Sequence, residues 1–349
     1  MAITAKALAA LLGISESAVS LALNNKPGVS QETRQRVLEV AKAQGFDFSR
    51  KGYSEKKGTI CFIVYKKSGA VVDDTPFFAA LTDGVSIACR REGYSCQIRY
   101  LYEDDDMAGQ LYALSASHYA GLIVLATEME EGTLKLFDHL IIPLVFLDAY
   151  FENPSYNFIL INNIQGAYQA ASYLIKKRRA QPGYLRSAYA ISNFEQRADG
   201  FYKAIRAAGL STSHSLVHRL TPSQDGAYAD MKALLENGEK PASCYFADND
   251  LIAIGAMQAL KEKGYRIPED ISIIGFDDLP SCEYVSPPLT TVSVPKAFFG
   301  ETAVLRIIQL IEGKNPHALK IEVATDLVVR KSVSSARAEA LSGKNAKGS

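Results

Sequence analysis

The chain has 349 residues, too many for one ordinary hydrophobic core, and this length suits two or three domains. Its 48% hydrophobic and 22% charged residues exclude a disordered or fibrous chain and are typical of a globular protein. No apolar run approaches the length of a membrane span, and the run at 7–12, which ends at Gly13, is too short for a signal peptide. We therefore expect a cytoplasmic protein with no membrane partner.

The net charge is zero, but the charges are distributed unevenly. Residues 1–58 carry nine Lys or Arg and five Asp or Glu, a net charge of +4, which leaves −4 for the remainder. A basic head on an acidic body favours a polyanionic partner for the head alone. The cysteines are five, an odd number, and show no CxxC spacing, which favours free thiols in a reducing compartment.

Three short helices are predicted at the N-terminus. Thr4 can cap a first helix that ends at Gly13, Ser15 can cap a second, and Ser30 can cap a third that runs to Gly45. Three helices with a three-residue turn between the first two predict an all-α helix-turn-helix domain.

The second of these helices carries the candidate chemistry. Val19, Ala22 and Leu23 recur at helical spacing and are assigned to the core. The positions left exposed are those that a recognition helix presents to the major groove: Glu16, Ser17, Ser20, Leu21 and Asn24. Among them, Glu16 suits a cytosine amino group and Leu21 a thymine methyl group. The pattern leaves two interpretations open, a DNA-reading domain and a three-helix module that binds protein.

From residue 59 onward, apolar strand-like runs alternate with helical stretches. Four runs form a first set, at 60–65, 96–101, 121–125 and 144–147, and five form a second, at 158–161, 183–189, 216–220, 243–246 and 271–275. The alternation predicts an α/β body of two doubly wound parallel-sheet lobes. Ligands of such sheets bind in the crevice beyond the carboxyl ends of the strands.

No enzyme signature is present in the sequence, since it has no GxGxxG, GxxxxGK[ST], GxSxG or HExxH motif. His214 and His218 are interpreted as structural or exposed residues, not as metal ligands. The acidic run at 103–106 precedes a helix that begins near Met107, where carboxylates favour the helix dipole. We therefore predict no catalytic residue, no metal site and no cofactor.

Polar residues follow several apolar strands, at the edge where the cleft is expected. Asp148 ends PLVFLD, Asn249 follows CYFAD together with Asp250, and Asp277 follows IIGF together with Asp278. Arg197 is expected to open the helix that contains QRADGF, while Phe77 and Phe78 can supply an apolar face. Converging carboxylate, amide and guanidinium groups are suited to sugar hydroxyls. Taken singly, each carboxylate is as well placed to cap the next helix as to contact a ligand, and Asp250 is expected to form such a cap.

The head resembles that of a known family. Residues 3–46, which include VSLALNNKPGVSQETRQRV, are similar to the N-terminal head of the LacI/GalR family of bacterial repressors. The resemblance extends to about residue 333 through segments such as TPFFAALTDGV, RADGF, NDLIAIGAMQAL and PEDISIIGFDD. It implies a body similar to periplasmic sugar-binding proteins, which forms a homodimer and brings two heads onto a palindromic DNA operator.

The resemblance also implies roles for individual residues. Phosphate contacts are implied for Thr4, Ser15, Ser20, Asn24, Ser30 and Thr33, and base contacts for Glu16, Ser17 and Leu21. Effector contacts are implied for Phe77, Phe78, Asp148, Arg197, Asn249 and Asp277. The chain departs from the family at Leu21 and Ala149, where arginine is common, at Asn162, where aspartate is common, and in having no tryptophan to stack on a sugar.

The linker at 49–59 departs further. Relatives usually form a hinge helix there, whose leucine wedges into the minor groove and bends the operator. Here proline is absent, Gly52 stands at an alanine position, and Glu55 stands at the leucine position. We expect no wedge, and phosphate contacts only, from Arg50, Lys51, Lys56 and Lys57. A shift of one or two residues that makes Tyr53 the wedge is the alternative.

The sequence thus predicts a ligand-responsive, sequence-specific transcription repressor whose effector is a sugar or a related polyol. The predicted domains are a helix-turn-helix domain at 1–48, a linker at 49–59, an effector-binding and dimerisation domain at 60–333 and a mobile tail at 334–349. Two rival functions are a solute-binding protein of a sugar transporter and an enzyme on a doubly wound fold. The head argues against the first and the missing motifs argue against the second.

Overall fold

The structure, a computed structural model, describes residues 3–23, 28–46, 57–73, 75–152 and 155–335. These residues form two compact units. One unit combines the chain up to Thr59 with Arg90–Ser95, and the other contains 60–89 and the chain from 96 onward. Asn24 and most of the predicted linker, including Gly52, Tyr53 and Glu55, lie outside the described residues.

The head consists of three helices, α1 (Ala5–Leu12), α2 (Glu16–Leu23) and α3 (Gln31–Ala43). Their shared core includes the predicted Val19, Ala22 and Leu23, together with Leu8 and Val37. The first helix ends at Gly13 as predicted, because the backbone there has a φ of 67° that glycine adopts without a steric penalty. The third helix ends two residues earlier than predicted, at Ala43, and a turn follows it.

The helices of the body are, in chain order, α4 (Pro76–Arg91), α5 (Met107–Ser115), α6 (Glu131–Leu134), α7 (Asn163–Arg178), α8 (Ser192–Ala207), α9 (Gln224–Glu236), α10 (Asp250–Glu262), α11 (Ser281–Tyr284) and α12 (Lys296–Ile311). The strands are β1 (Thr59–Lys66), β2 (Ser95–Tyr102), β3 (Gly121–Leu125), β4 (Leu144–Leu147), β5 (Asn157–Ile161), β6 (Gly183–Ser187), β7 (Val217–Leu220), β8 (Cys244–Ala247), β9 (Ser272–Asp277), β10 (Thr290–Ser293), β11 (Lys320–Val323) and β12 (Asp326–Val328).

These strands form two six-stranded sheets, which confirms the predicted pair of α/β lobes. The first lobe has the order β11-β5-β4-β3-β1-β2 and the second has β12-β10-β9-β8-β6-β7. The central pairs are parallel, and the pair of β10 with β12 is antiparallel. Strands such as β3 and β5 are buried along their whole length, as expected for sheets covered on both faces.

The lobes do not follow each other simply along the chain, which corrects the sequence-based division. The run at 158–161 was expected in the second sheet, but β5 pairs with β4 in the first. The chain later returns through α12, which packs on the first sheet, and adds β11 beside β5. A fully apolar strand does not reveal which sheet it joins, because both lobes offer it the same environment.

The ends of two other predicted segments are also clear. Asp106 caps α5 by accepting a hydrogen bond from the Gly109 N–H at 3.0 Å, as predicted for the acidic run. Ser334, at the start of the predicted tail, donates its N–H to Ser272 Oγ and accepts from Arg178, while residues 336–349 lie outside the described chain. Among the described helices, none alone is long and apolar enough to span a membrane, and α1 and α2 meet that criterion only as a bent pair.

Candidate DNA-reading face and effector cleft

The N-termini of the three head helices are capped by hydroxyl side chains. Thr4 Oγ1 accepts from the Ala7 N–H, Ser15 Oγ from the Ala18 N–H, and Ser30 Oγ from the Thr33 N–H, at 3.1–3.2 Å. Each hydroxyl that accepts in this way still carries a hydrogen that it can donate. Ser15 shares a further hydrogen bond with the Ser17 hydroxyl, and Ser30 shares one with the Thr33 hydroxyl. Helix N-termini also favour anions through their partial positive charge. The caps therefore fit the phosphate contacts that the family resemblance implies.

The first turns of α2 present the side chains assigned to base contacts. Glu16 and Ser17 are exposed, while Ser20 and Leu21 are half-buried. The Ser17 hydroxyl lies 2.9 Å from the Ser15 hydroxyl, so the two form a polar pair at the start of the helix. Leu21 lies close to Gly28, since a Cβ added at that glycine would lie 3.1 Å from Leu21 Cδ1.

All six residues predicted to contact the effector line one small cavity of about 30 Å³ between the two lobes, which we call the inner pocket. The side chains that share it with the predicted set include Val71, Thr127, Ile191 and Asn193. The six residues that the sequence analysis named from separate segments thus lie together in the folded chain.

Arg197 is the centre of the inner pocket. Its side chain is buried, its Nε donates to Asn163 Oδ1 at 2.9 Å, and its Nη2 donates to Asp277 Oδ1 at 3.2 Å. Nη1 donates to the backbone carbonyl of Asp248, and the guanidinium lies 3.7 Å from the centre of the Phe276 ring. A guanidinium held on three sides is a fixed donor whose remaining N–H groups can meet a ligand.

Local packing explains why Arg197 reaches this position. It was expected to open its helix, but α8 begins at Ser192 and places Arg197 in the second turn. Three residues later, Gly200 lets α8 approach α7 closely, since a Cβ there would lie 2.3 Å from the Ile164 carbonyl oxygen. The glycine of RADGF thus allows Arg197 to reach Asn163 at the start of α7.

Asp148 enters the pocket from the first lobe. It follows β4 with a φ of 64°, a conformation that is uncommon for aspartate and that clusters at functional sites. Thr127 Oγ1 donates to its carboxylate at 2.7 Å, and Asn193 Nδ2 donates at 3.0 Å. Burial raises the pKa of Asp148 to about 7 despite these donors and the nearby Arg197. The carboxyl group can therefore change its protonation state near neutral pH.

Asp277 enters from the second lobe, where it ends β9. Its φ of 111° is again unusual, and burial raises the pKa of its carboxyl group. The Lys296 ammonium donates to its backbone carbonyl. Asn193 donates to Asp148 and also accepts from Asn163, so one hydrogen-bond network runs from Asp148 in the first lobe to Asp277 in the second.

The capping role expected for Asp250 is taken by Asn249, which also lines the inner pocket. Asn249 caps α10, because its side-chain oxygen accepts from the Ile252 N–H at 2.8 Å. Asp250, expected to be the cap, instead accepts from the Leu279 N–H and the Thr291 hydroxyl. Gly275 makes room for this carboxylate, since a Cβ there would lie 2.2 Å from Asp250 Oδ1. Asp250 thus fixes the loop that follows Asp277.

Phe77 and Phe78 form the apolar wall predicted for them. They lie at the start of α4, both buried, with ring centroids 5.1 Å apart in an edge-to-face arrangement. Asp278, which was also considered for the cleft, is instead paired with Arg330 at 2.8 Å. His218, expected to be structural, is buried and lies 3.1 Å from the Tyr245 hydroxyl.

Sequence reasoning missed Glu128, Thr127, Asn163 and Asn193. Thr127 and Glu128 follow β3 in the same way that Asp148 follows β4, so the strand-end signal was present for them. Asn163 and Asn193 lie at the beginnings of helices, where asparagine usually indicates a cap. Their long-range partners are revealed only by the folded structure.

The comparisons with known proteins agree with this architecture. A family model described as "Bacterial regulatory proteins, lacI family" matches residues 4–47, and one described as "Periplasmic binding protein-like domain" matches residues 171–333. The HTH-type transcriptional repressor PurR of Mannheimia succiniciproducens is 33% identical over 336 residues, which cover 95% of this chain and 98% of that protein. The corresponding repressor of Pasteurella multocida is 31% identical over 95% of this chain and 99% of its own length.

Solved structures show the same fold. The transcriptional regulator CelR–cellobiose complex has a TM-score of 0.71 and 25% identity, covering 95% of this chain and 99% of the other. The lac repressor dimer bound to operator and the anti-inducer ONPF has a TM-score of 0.69 and covers 96% of this chain and 100% of the other. At 21% identity, the second likeness shows a shared fold.

This chain has a helix-turn-helix head joined to a two-lobed body with a polar pocket between the lobes. These features define its class, a DNA-binding transcription regulator that responds to a small molecule. The full-length identity to named repressors gives the family: the chain belongs to the LacI family of bacterial regulatory proteins. The family resemblance seen in the sequence is thus confirmed. The relatives are transcriptional regulators, as the prediction of a non-enzymatic function requires.

Proposed function

We propose that the effector is a sugar or a related polyol, and that it is recognised from the inner pocket. The observation that carries this proposal is the interlobe network of Asp148, Asn193, Asn163, Arg197 and Asp277. Two carboxylates, two amides and a guanidinium offer donors and acceptors in alternation, which suits neighbouring hydroxyl groups. Phe77 and Phe78 supply the apolar face, and Asn249, which caps the N-terminus of α10, lines the same pocket.

We propose further that the protein acts in the cytoplasm as a homodimer that reads a palindromic DNA operator. In the head, Thr4, Ser15, Ser20, Asn24, Ser30 and Thr33 would contact phosphates, and Glu16, Ser17 and Leu21 would face bases. The proposed domain limits are 1–48 for the head, 49–59 for the linker and 60–333 for the body, with the tail after residue 333.

An exposed apolar edge supports the dimer. Strand β2 is the outer strand of the first sheet and exposes Ile98, Tyr100 and Tyr102, each more than 40% accessible. Tyr112 on α5 is also exposed. An open sheet edge with large apolar side chains is a common site of association, since monomers otherwise protect such edges.

The proposed mechanism is thermodynamic linkage. An effector that binds one interlobe arrangement more tightly shifts the population toward it, and a dimer of such bodies changes the spacing of its two heads. Coupling free energies of about 1–3 kcal/mol between two sites change affinity by roughly 5- to 150-fold.

DNA binding can be tested with the full chain and the DNA upstream of its own gene. Ser17→Asp places a carboxylate on the exposed start of α2, where it would meet phosphates and base acceptors, so binding in a gel shift should be lost. Ser213→Asp, at an exposed position of the body, is the matched control and should bind normally. Equal binding by both variants would refute the assignment of α2 as the reading helix.

A further inference from the structure

Two cysteines flank the turn that joins α4 to β2. Cys89 lies in the last turn of α4 and is buried, and Cys96 is the second residue of β2 and is half-buried. The chain reverses between them at Gly93, whose φ of 85° suits glycine and whose N–H donates to the Arg90 carbonyl. This short turn brings the start of β2 back beside the end of α4.

The two thiols are in contact. A hydrogen bond joins the Cys89 and Cys96 side chains, and it holds the pKa of the Cys96 thiol below its ordinary value, although burial acts in the opposite direction. The same hydrogen bond and burial raise the pKa of Cys89. Cys96 is therefore the acceptor, whose thiolate is stabilised, and Cys89 is the donor that keeps its proton. The thiolate is the reactive form of cysteine.

The other cysteines differ from Cys96 in burial and in acidity. All five lie in the described part of the chain, and Cys96 is the only one of them that is not buried. Burial raises the pKa of Cys61 and of Cys244 to about 11, and it raises that of Cys282 as well. These three thiols stay protonated at neutral pH and have little access to solvent. An oxidant that arrives from solvent therefore meets Cys96 first.

The turn between the two cysteines also anchors the described end of the predicted linker. The Lys57 N–H donates to the Gly93 carbonyl at 3.0 Å, and the Ser95 N–H donates to the Gly58 carbonyl at 2.9 Å. The Lys57 ammonium lies 5.6 Å from the centre of the Tyr94 ring. A constraint on this turn therefore acts on the residues by which the chain passes from the linker into β1.

We propose that Cys89 and Cys96 are a redox-sensitive pair that a peroxide converts to a disulfide, which locks the turn and the end of the linker bonded to it. The inference does not depend on the effector or on its class. Disulfides of this kind in a reducing compartment are usually transient and act in redox sensing.

The reaction has two steps. The Cys96 thiolate attacks a peroxide oxygen, so that an S–O bond forms, the O–O bond breaks, and the released hydroxide takes a proton from solvent to become water. The Cys89 sulfur then attacks the sulfenic sulfur of Cys96 and displaces hydroxide, which takes the Cys89 proton and leaves as water. The two thiols are oxidised together, and the peroxide is reduced to water. A thiol reductant reverses the change by exchange.

The sequence permits a direct test, because trypsin cuts after Arg90 and Arg91 and so separates the two cysteines. The full chain is treated with hydrogen peroxide, free thiols are alkylated, and the tryptic peptides are analysed by mass spectrometry without reduction. Peptide 68–90 should be joined to peptide 92–99, and dithiothreitol should separate them. Cys96→Ser should remove the link, whereas Cys61→Ala, the matched control, should retain it.

Hydrogen exchange tests whether the disulfide locks the turn. In the oxidised protein the Lys57 and Ser95 amides should exchange roughly tenfold more slowly, because a cross-link restricts the opening of the turn. The Gly209 amide donates to the Arg206 carbonyl in the comparable turn after α8 and should keep its rate.

Three results would overturn the proposal. The first is that the full chain forms no link at peroxide concentrations that oxidise free cysteine. The second is that Cys96 instead joins Cys96 of another copy or proceeds to the sulfinic acid. The third is unchanged exchange of the Lys57 and Ser95 amides in the linked protein.

Discussion

The head and the interlobe cleft place their functional groups in opposite environments. In the head, the candidate residues belong to one short stretch of sequence, and Glu16 and Ser17 are exposed on α2. In the cleft, Asp148, Arg197 and Asp277 come from distant parts of the chain and are buried. An exposed polar group contributes free energy mainly in the complex with DNA, whereas a buried polar group also contributes to the stability of the fold through its hydrogen-bond partners. Substitutions of the exposed residues should therefore change mainly DNA affinity, whereas substitutions of the buried residues should also change the free energy of unfolding.

The largest effect is expected for Arg197→Ala. Removing the guanidinium leaves Asp277, Asn163 and the Asp248 carbonyl without a buried partner, so the free energy of unfolding should fall by about 3–5 kcal/mol. Urea unfolding measures this change. Arg266→Ala removes an exposed i,i+4 partner of Asp270 and should leave the midpoint nearly unchanged. Similar losses in both variants would contradict the buried network.

The second effect is a dependence of stability on pH that originates in the cleft. Burial raises the pKa of Asp148 to about 7, so between about pH 4 and 7 the unfolded chain has released a proton that the folded chain retains. The free energy of unfolding should therefore fall as the pH rises through this window, at up to about 1.4 kcal/mol per pH unit. Arg197 and Asp277 face the same carboxyl group and modulate the effect.

This pH dependence can be assigned by urea unfolding of the full chain and of Asp148→Asn at several pH values. The decline should become shallower in Asp148→Asn, because one of the groups that titrate is gone. Asp248 and Asp250, whose pKa values burial also raises, to about 6 and about 7, should keep part of the decline. An unchanged slope would show that Asp148 does not titrate in this range.

A smaller effect is expected where Glu128 anchors the loop at 67–72. Glu128→Ala leaves five backbone N–H groups without their acceptor, which should lower the local free energy of opening by about 1–3 kcal/mol. Hydrogen exchange of these amides reports the change directly. Glu130→Ala, which removes only the exposed partner of Lys67, should leave the exchange rates nearly as they are.

The smallest effect is expected in the head. Ser30→Ala removes the cap of α3, and loss of an N-cap costs about 1 kcal/mol. Hydrogen exchange at the Thr33 amide should accelerate accordingly, while Gln31→Ala, at the neighbouring exposed position, should not accelerate it. If both substitutions behave alike, Ser30 does not act as the cap.

The same contrast explains what could be predicted from the sequence. The head was predictable in detail, because caps such as Thr4 and Ser30 and core positions such as Val19 act within one or two turns. In the cleft, polar residues at strand ends identified Asp148 and Asp277. The pattern could not reveal that Asn193 joins the lobes, because that contact depends on tertiary packing. The mistaken sheet for β5 has the same cause.

The central claim is that a ligand in the cleft sets the affinity of the head for DNA. It is tested most directly by titrating the full chain onto fluorescently labelled upstream DNA, with and without a saturating concentration of the sugar that binds best in calorimetry. The sugar should change the apparent Kd by roughly 5- to 150-fold, and Arg197→Lys, which keeps the charge but loses the forked donor geometry, should abolish the change. An identical Kd with and without a bound sugar would contradict the claim.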